Sequence, residues 1–547
     1  MTRFPLLLLL QAATAAADQP ATTPNNRQAT AHAPEPKRGP AVGDAAAPVE
    51  TQRGAPADHP ATWPDRDLDN PPTTVPARNT DGSSPASSDR DSADDHPAAA
   101  SDRSTTGAID DAGAGRTDDT EPPPLDRQGS RPAPVIDLAL IDRLFDERLA
   151  ARGDTAGWDP GGGFYIQNRE HTAKLKLGGF TQFDGRFFVP RNSDPKVDQF
   201  AFTSIRPDLQ GTVFEHYDFR LFPDFAGGKL VVQDAYADVH YGEAVKLRVG
   251  KFKVPFGLER LQAETDTAFI SRGLPTQIAP NRDLGVQVFG ELAGGVFAYQ
   301  VGIFNGVPDG QSGDGDVSTG KEGAARVFVK PFVTGDSAIK FLGVGGAVTY
   351  GDTIGTVAAP DLPVFKTAGQ TTFFQYKTGT MLADTPIAHG RHWRASAQAD
   401  YFSGPVGILA EYVHSAEHVS LAPAHATVEA DAWQALAQWV ITGDDATFKS
   451  VTPRHAFDPS NGHYGALDVV ARVGELRLAN SAVFDTGLAD PMKSALRIWS
   501  AGAGLDWFPN RTFRFVLDYD RTWFRLGAKT GDRPTESTIV GRVQTSF

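Results

Sequence analysis

The sequence predicts an all-β protein: an antiparallel transmembrane β-barrel of about sixteen strands, preceded by a disordered arm and a short helix. Three observations carry that prediction. The chain opens with an export signal. From about residue 162 onward, apolar and polar residues alternate with period two over long strands. No stretch is long and apolar enough to form a membrane helix.

Composition excludes other classes. The chain of 547 residues has no cysteine and a formal net charge of −15. Disulfides, zinc–thiolate centres and cysteine nucleophiles are therefore impossible. The acidic balance argues against a nucleic-acid partner.

Residues 1–17 read as a secretory signal peptide. Arg3 is the basic start, Leu6 to Leu10 the apolar stretch, and Ala15-Ala16-Ala17 the small-residue cleavage site. The segment is too short to span lipid, which takes roughly 20 apolar residues.

Residues 18–135 hold 19 of the 40 prolines, 20 acidic against 11 basic residues, and a single aromatic, Trp63. Such a segment cannot bury enough apolar surface to offset its chain entropy, so it reads as a disordered Pro/Asp/Ala-rich periplasmic arm. In 136–151, Leu138, Ile141, Phe145 and Leu149 fall at helical spacing between charged residues. That is a short amphipathic helix, a plug or linker.

Residues 162–547 carry the barrel pattern. In His171 to Phe188, Leu175, Leu177, Thr181, Phe183 and Phe187 share one face, opposite Lys174, Lys176, Gln182, Asp184 and Arg186. Val245 to Val249 and Phe513 to Asp520 repeat the scheme. Alternation alone fits any half-buried sheet. Here the strands are long and one face is heavily charged, which suits a wall between lipid and water. Sixteen such strands can be placed, from 171–189 to 536–547. Gly227-Gly228, Ala293-Gly294 and Pro509-Asn510 read as short inner turns; 253–283, 307–322, 352–388 and 443–463 read as long outer connections. A barrel this wide cannot be filled by its own wall side chains and encloses an aqueous channel lined by the polar face.

Several segments resemble the phosphate-selective porin O and P family. They include Phe219-Arg220-Leu221-Phe222-Pro223-Asp224-Phe225, Gln233-Asp234-Ala235-Tyr236-Ala237-Asp238 and the run from Val249 to Arg260. Pro280 to Gln287, Phe304 to Asp309, Thr442 to Asp445, Phe457-Asp458-Pro459 and Asp518 to Thr522 continue the likeness, which covers 162–547 and none of the arm. The resemblance implies a sixteen-stranded barrel in the bacterial outer membrane, usually a homotrimer. It also implies that the loop after the fifth strand, here 253–283, folds inward as a constriction. Where relatives often carry paired arginines, this sequence has Phe202-Thr203-Ser204-Ile205-Arg206; the family's lysine cluster is matched only in part, by Arg260. Phe547 resembles the terminal aromatic that such barrels present to their assembly machinery.

Anions are drawn through pores by rings or ladders of Lys and Arg. The inward-facing candidates are Lys174, Lys176, Arg186, Arg206, Arg220, Lys246 and Arg248, with loop residues Lys253, Arg260 and Arg272. The alternative for each is pairing with an inward carboxylate such as Asp184, Asp218, Asp234 or Asp238. Asp309 to Asp316 lacks the closing glutamate of a calcium loop. His389 and His392 read as rim residues, and no nucleophile–base pairing is visible. The expectation is therefore a channel without cofactor or metal, not an enzyme. It would pass phosphate or related anions such as pyrophosphate and polyphosphate. The alternatives are a general or other-anion diffusion porin and, in another class, a barrel adhesin or enzyme.

Overall fold

The computed structural model describes residues 153, 155–159, 162–189, 197–315, 320–333, 338–479 and 481–547. The signal segment, the arm and the helix expected over 136–151 lie outside the described residues. The strands are, in order, β1 (Thr155–Asp159), β2 (Gly163–Gln167), β3 (Lys174–Phe188), β4 (Gln199–Val213), β5 (Tyr217–Asp224), β6 (Val231–His240), β7 (Lys246–Lys253), β8 (Arg282–Leu292), β9 (Phe297–Phe304) and β10 (Glu322–Val329). They continue as β11 (Leu342–Ile354), β12 (Val364–Lys366), β13 (Thr372–Gln375), β14 (Ile387–Ser403), β15 (Val406–Leu421), β16 (Ala424–Val440), β17 (Ala466–Leu478), β18 (Ala495–Phe508), β19 (Phe513–Leu526) and β20 (Glu536–Ser546).

Strands β3 to β11 and β14 to β20 form a closed antiparallel barrel of sixteen strands. Each pairs with its neighbour in sequence, and β20 returns to β3. Closure leaves no unpaired edge toward lipid, which is why a sheet can cross a bilayer only as a barrel. These are the sixteen strands expected from the alternation. On β19, Phe513, Phe515, Leu517 and Tyr519 are exposed on the outer surface, while Arg514, Val516, Asp518 and Asp520 are buried. Leu247 is likewise outside and Arg248 inside.

Two features depart from the sequence reading. The hairpin β1–β2 was not expected. It extends the sheet by pairing β2 with Lys174 to Leu177 of β3, directly beyond the point where the main chain of Phe547 bonds to Gly179. Gly163, at φ 87°, leads into it; a Cβ there would strike the main chain at Leu177.

Strand order also corrects the reading of connection lengths. Connections 214–216, 241–245, 293–296, 404–405 and 509–512 lie at the end that holds the C-terminus; 254–281, 305–321 and 355–386 lie at the other. Outer-membrane barrels keep short turns toward the periplasm, so the first is the inner end. By the same parity the Gly227-Gly228 turn is at the outer end, and the long 441–465 connection is at the inner end.

Most of the buried apolar mass lies inside the barrel. Toward the outer end, Phe256 and Ile278 of the 254–281 connection, Phe365, Phe373 and Phe374 of the β12–β13 hairpin, and Val483 and Leu488 pack together against Val413, Leu476 and Ile498 of the wall. Each buried phenylalanine contributes about 1.5–3 kcal/mol relative to exposure. At the inner end, Ala446 and Val451 of the 441–465 connection pack against Val440, Ala466 and Phe508.

Candidate functional site

The connection 254–281 leaves β7 and crosses the lumen. The N–H of Leu258 donates to Oε1 of Glu411 on β15 at 2.6 Å, and that of Ile270 to Oδ2 of Asp518 on β19 at 2.7 Å. Wall arginines hold its carbonyls: Arg472 Nη1 donates to Ser271 at 2.6 Å and Arg514 Nη1 to Thr265 at 2.9 Å. The β12–β13 hairpin closes on it, with Ser271 Oγ donating to the Ala368 carbonyl at 2.9 Å and the Lys366 N–H to Oε1 of Gln277 at 3.0 Å. A loop of this length can reach the opposite wall, and the wall supplies the groups that satisfy its main chain.

Between the loop, the hairpin and the wall of β3, β4, β17, β18 and β20 lies a pocket, the candidate passage. Its charged lining is Asp184, Arg186, Glu264, Arg272, Lys366, Arg472 and Arg542. Five are cations and two are carboxylates, and both carboxylates are engaged. Arg542 holds Asp184 through two contacts, at 2.7 and 2.8 Å, and Arg206 Nη1 lies 2.9 Å from Glu264 Oε2. Arg186 and Lys366 have no ion pair among the described residues, and Arg186 Nε has no hydrogen-bond partner there. Burial lowers the pKa of the Lys366 ammonium, and the nearby Arg186 charge lowers it further.

The sequence-derived cations are dispersed. Arg186 and Arg272 line the passage. Arg272 also donates to the carbonyls of Glu259 and Gln262, which fixes the loop. Arg206, Arg220 and Arg248 point inward but are buried in pairs. Arg206 meets Asp224 at 2.7 Å, Arg220 meets Asp208 at 3.0 Å and Asp234 at 3.2 Å, and Arg248 meets Asp238 at 2.8 Å. Stacking over Phe222 and Tyr236 further immobilises Arg220 and Arg248.

Lys253 and Arg260 are enclosed within the loop itself. Lys253 donates to the carbonyls of Arg260 and Gln262, and Arg260 to that of Thr276. Arg260 is fully buried, so it faces protein and not the passage.

Lys174, Lys176 and Lys246 lie at the inner end. Lys174 sits over the Tyr165 ring, Lys176 lies 3.8 Å from Asp159, and Lys246 lies 2.6 Å from Glu243. The unexpected β1–β2 hairpin supplies the first two partners. His392 is buried, not at the rim: its Nε2 lies 3.3 Å from Asp309, which also accepts from Arg394 at 2.6 Å. Those contacts anchor the 305–321 loop to β14.

Lys366, Arg472 and Arg542 were missed as lining residues. Arg472 and Arg542 occupy inward positions of strands legible in the sequence. Lys366 lies in a loop without periodicity.

Among solved structures, the chain is similar to the outer membrane channel DcaP of Acinetobacter baumannii, at 13% identity and a TM-score of 0.45, covering 71% of this chain and 100% of that one. It is similar to the anion-selective porin from Comamonas acidovorans, at 10% identity and a TM-score of 0.45, covering 69% and 100%. For outer-membrane expressed OmpT of Vibrio cholerae the values are 12%, 0.44, 69% and 98%. No curated protein sequence matches the chain. The sequence model of phosphate-selective porin O and P matches residues 174–537, well over half of the chain and nearly the whole barrel. The chain belongs to this family: it is a bacterial outer-membrane porin, a channel and not an enzyme.

Proposed function

We propose that this porin passes phosphate or related anions down their gradient, and that the passage beside the 254–281 loop is its selective constriction. The observation that carries this reading is the charge inventory of the passage: five cations and two carboxylates line it, Arg542 is paired with Asp184 and Arg472 with Asp520, and Arg186 and Lys366 keep no ion pair among the described residues. A guanidinium matches two phosphate oxygens, and an ammonium supplies a point charge. In a narrow, partly desolvated channel such charges act more strongly than in water. In the same reading residues 1–17 are a cleaved signal, 18–135 a spacer arm, Phe547 the assembly signal, and the working unit a homotrimer.

Purified protein in planar bilayers tests the proposal. The expected result is an anion-selective reversal potential in a potassium chloride gradient, with chloride current reduced by added phosphate. Preference for cations overturns it. Anion preference without any effect of phosphate selects a general anion porin. That second reading is favoured by the paired state of Arg206, Arg220 and Arg248, which removes them from any ladder of free charge.

A further inference from the structure

The outer surface of the barrel carries charge where lipid would be expected. Arg477, Arg497 and Arg525 are direct cross-strand partners on β17, β18 and β19, near the outer ends of those strands. All three point away from the lumen, on the same face as the exposed Val473, Leu505 and Leu517. Two residues toward the membrane centre, Trp499 and Trp523 are also directly paired and exposed. They match the aromatic girdle that marks a lipid–headgroup boundary. The arginine row therefore stands at headgroup level on the outer side.

Like charges directly opposite each other destabilise a sheet unless anions lie between them. The protein supplies two ion-pair partners, and a third carboxylate, Asp532, shares a cavity with Arg497 and Arg525 but accepts from the Leu526 N–H at 2.7 Å. Glu475 lies 2.6 Å from Arg497 and Asp431 lies 3.4 Å from Arg477, but Asp431 already accepts from Tyr412 and His414. Arg525 is exposed and has no ion-pair or hydrogen-bond partner among the described residues. Arg497 packs over the Trp499 ring at 4.8 Å, which holds its guanidinium against the wall. The same surface of β3 and β4 is instead apolar, with Phe183, Phe187, Phe200 and Phe202 exposed. The cationic row is thus local to one side.

We propose that this row is a binding site for a phosphorylated lipid headgroup of the outer leaflet. The phosphate would bridge Arg525 and Arg497 while the acyl chains lie over Trp499 and Trp523. Guanidinium forks suit phosphate oxygens, and clusters of basic residues at a membrane boundary recognise anionic lipid heads. The site is on the opposite side of the wall from the passage, so it is independent of what the channel conducts.

The test is native mass spectrometry of the full chain in a neutral detergent, titrated with bis-phosphorylated lipid A and with its dephosphorylated form. Wild type should retain the phosphorylated lipid about tenfold more strongly or better. The variant R477Q/R497Q/R525Q should lose that preference and keep wild-type conductance. The triple variant also takes Arg497 from Glu475 and Arg477 from Asp431; the single variant R525Q breaks no ion pair among the described residues and gives a milder form of the same loss without that cost to folding. Arg511→Gln, in an inner-end turn, should keep the preference. The proposal is overturned if wild type retains both lipids equally, or if R525Q and the triple variant both bind like wild type. Displacement of the lipid by excess inorganic phosphate would also overturn it, by marking a general anion site.

Discussion

Arg186 on β3 and Lys366 on the β12–β13 hairpin line one passage close enough for their charges to interact, and neither has an ion-pair partner among the described residues. Their mutual repulsion is tolerable if an anion occupies the space between them part of the time.

Lys366 should make selectivity sensitive to alkaline pH. Burial and then Arg186 lower its pKa from the ordinary 10.5. The ammonium is charged below its pKa, so its positive charge is lost as pH rises, earlier than for a free lysine. Anion selectivity should therefore fall as pH is raised through the alkaline range. Lys366→Arg should flatten the profile, because arginine keeps its charge. Reversal potentials in a salt gradient at stepped pH give the readout; identical profiles for the two proteins would remove Lys366 from the conducting path.

Reversing Arg186 should act at every pH. A unit charge about 8 Å from an ion, at an effective dielectric near 20, contributes about 2 kcal/mol. Arg186→Glu should thus lower the anion-to-cation permeability ratio by about tenfold or more. Arg511→Glu, outside the passage, should change it little because salt screens an exposed charge.

Arg260 should behave as a loop fastener. It is fully buried and donates to the Thr276 carbonyl. Arg260→Met leaves buried acceptors unsatisfied, at about 1–3 kcal/mol for each lost partner. The expected outcome is a noisier, larger conductance from a loosened loop. A quiet channel with altered selectivity alone would instead place Arg260 in contact with the ions.

Depth should set the cost of charge on the lipid face. Val473 is exposed near the middle of β17, whereas Leu247 and Phe515 lie near the inner ends of β7 and β19. Val473→Arg should destabilise the barrel by about 2–4 kcal/mol, and Leu247→Arg or Phe515→Arg by about 0–1 kcal/mol. Denaturant titration in detergent or lipid separates these values.

The wall was legible because a strand writes its two faces into sequence with period two. Leu247 against Arg248 and Phe515 against Arg514 need no tertiary information. The β1–β2 hairpin was not legible, because each of its strands has only five residues and little alternation. The passage was harder still. Arg206 and Arg186 look alike in sequence, yet one is neutralised by Asp224 and Glu264 and the other is not. That difference depends on residues far along the chain. Lys366 reaches the passage only because its hairpin folds back onto Ser271 and Gln277.

The closing seam has a consequence for biogenesis. Asp184 and Arg542 are separated by 358 positions, yet they form one side of the passage across the junction of β3 and β20. Contacts of such long range form late, because the loop they close must first be ordered. A chain still emerging, or one lacking its last strand, can hold Arg186 but cannot place Arg542 beside Asp184. Its charge filter is completed by the same event that seals the wall, so no unfinished barrel presents a finished filter.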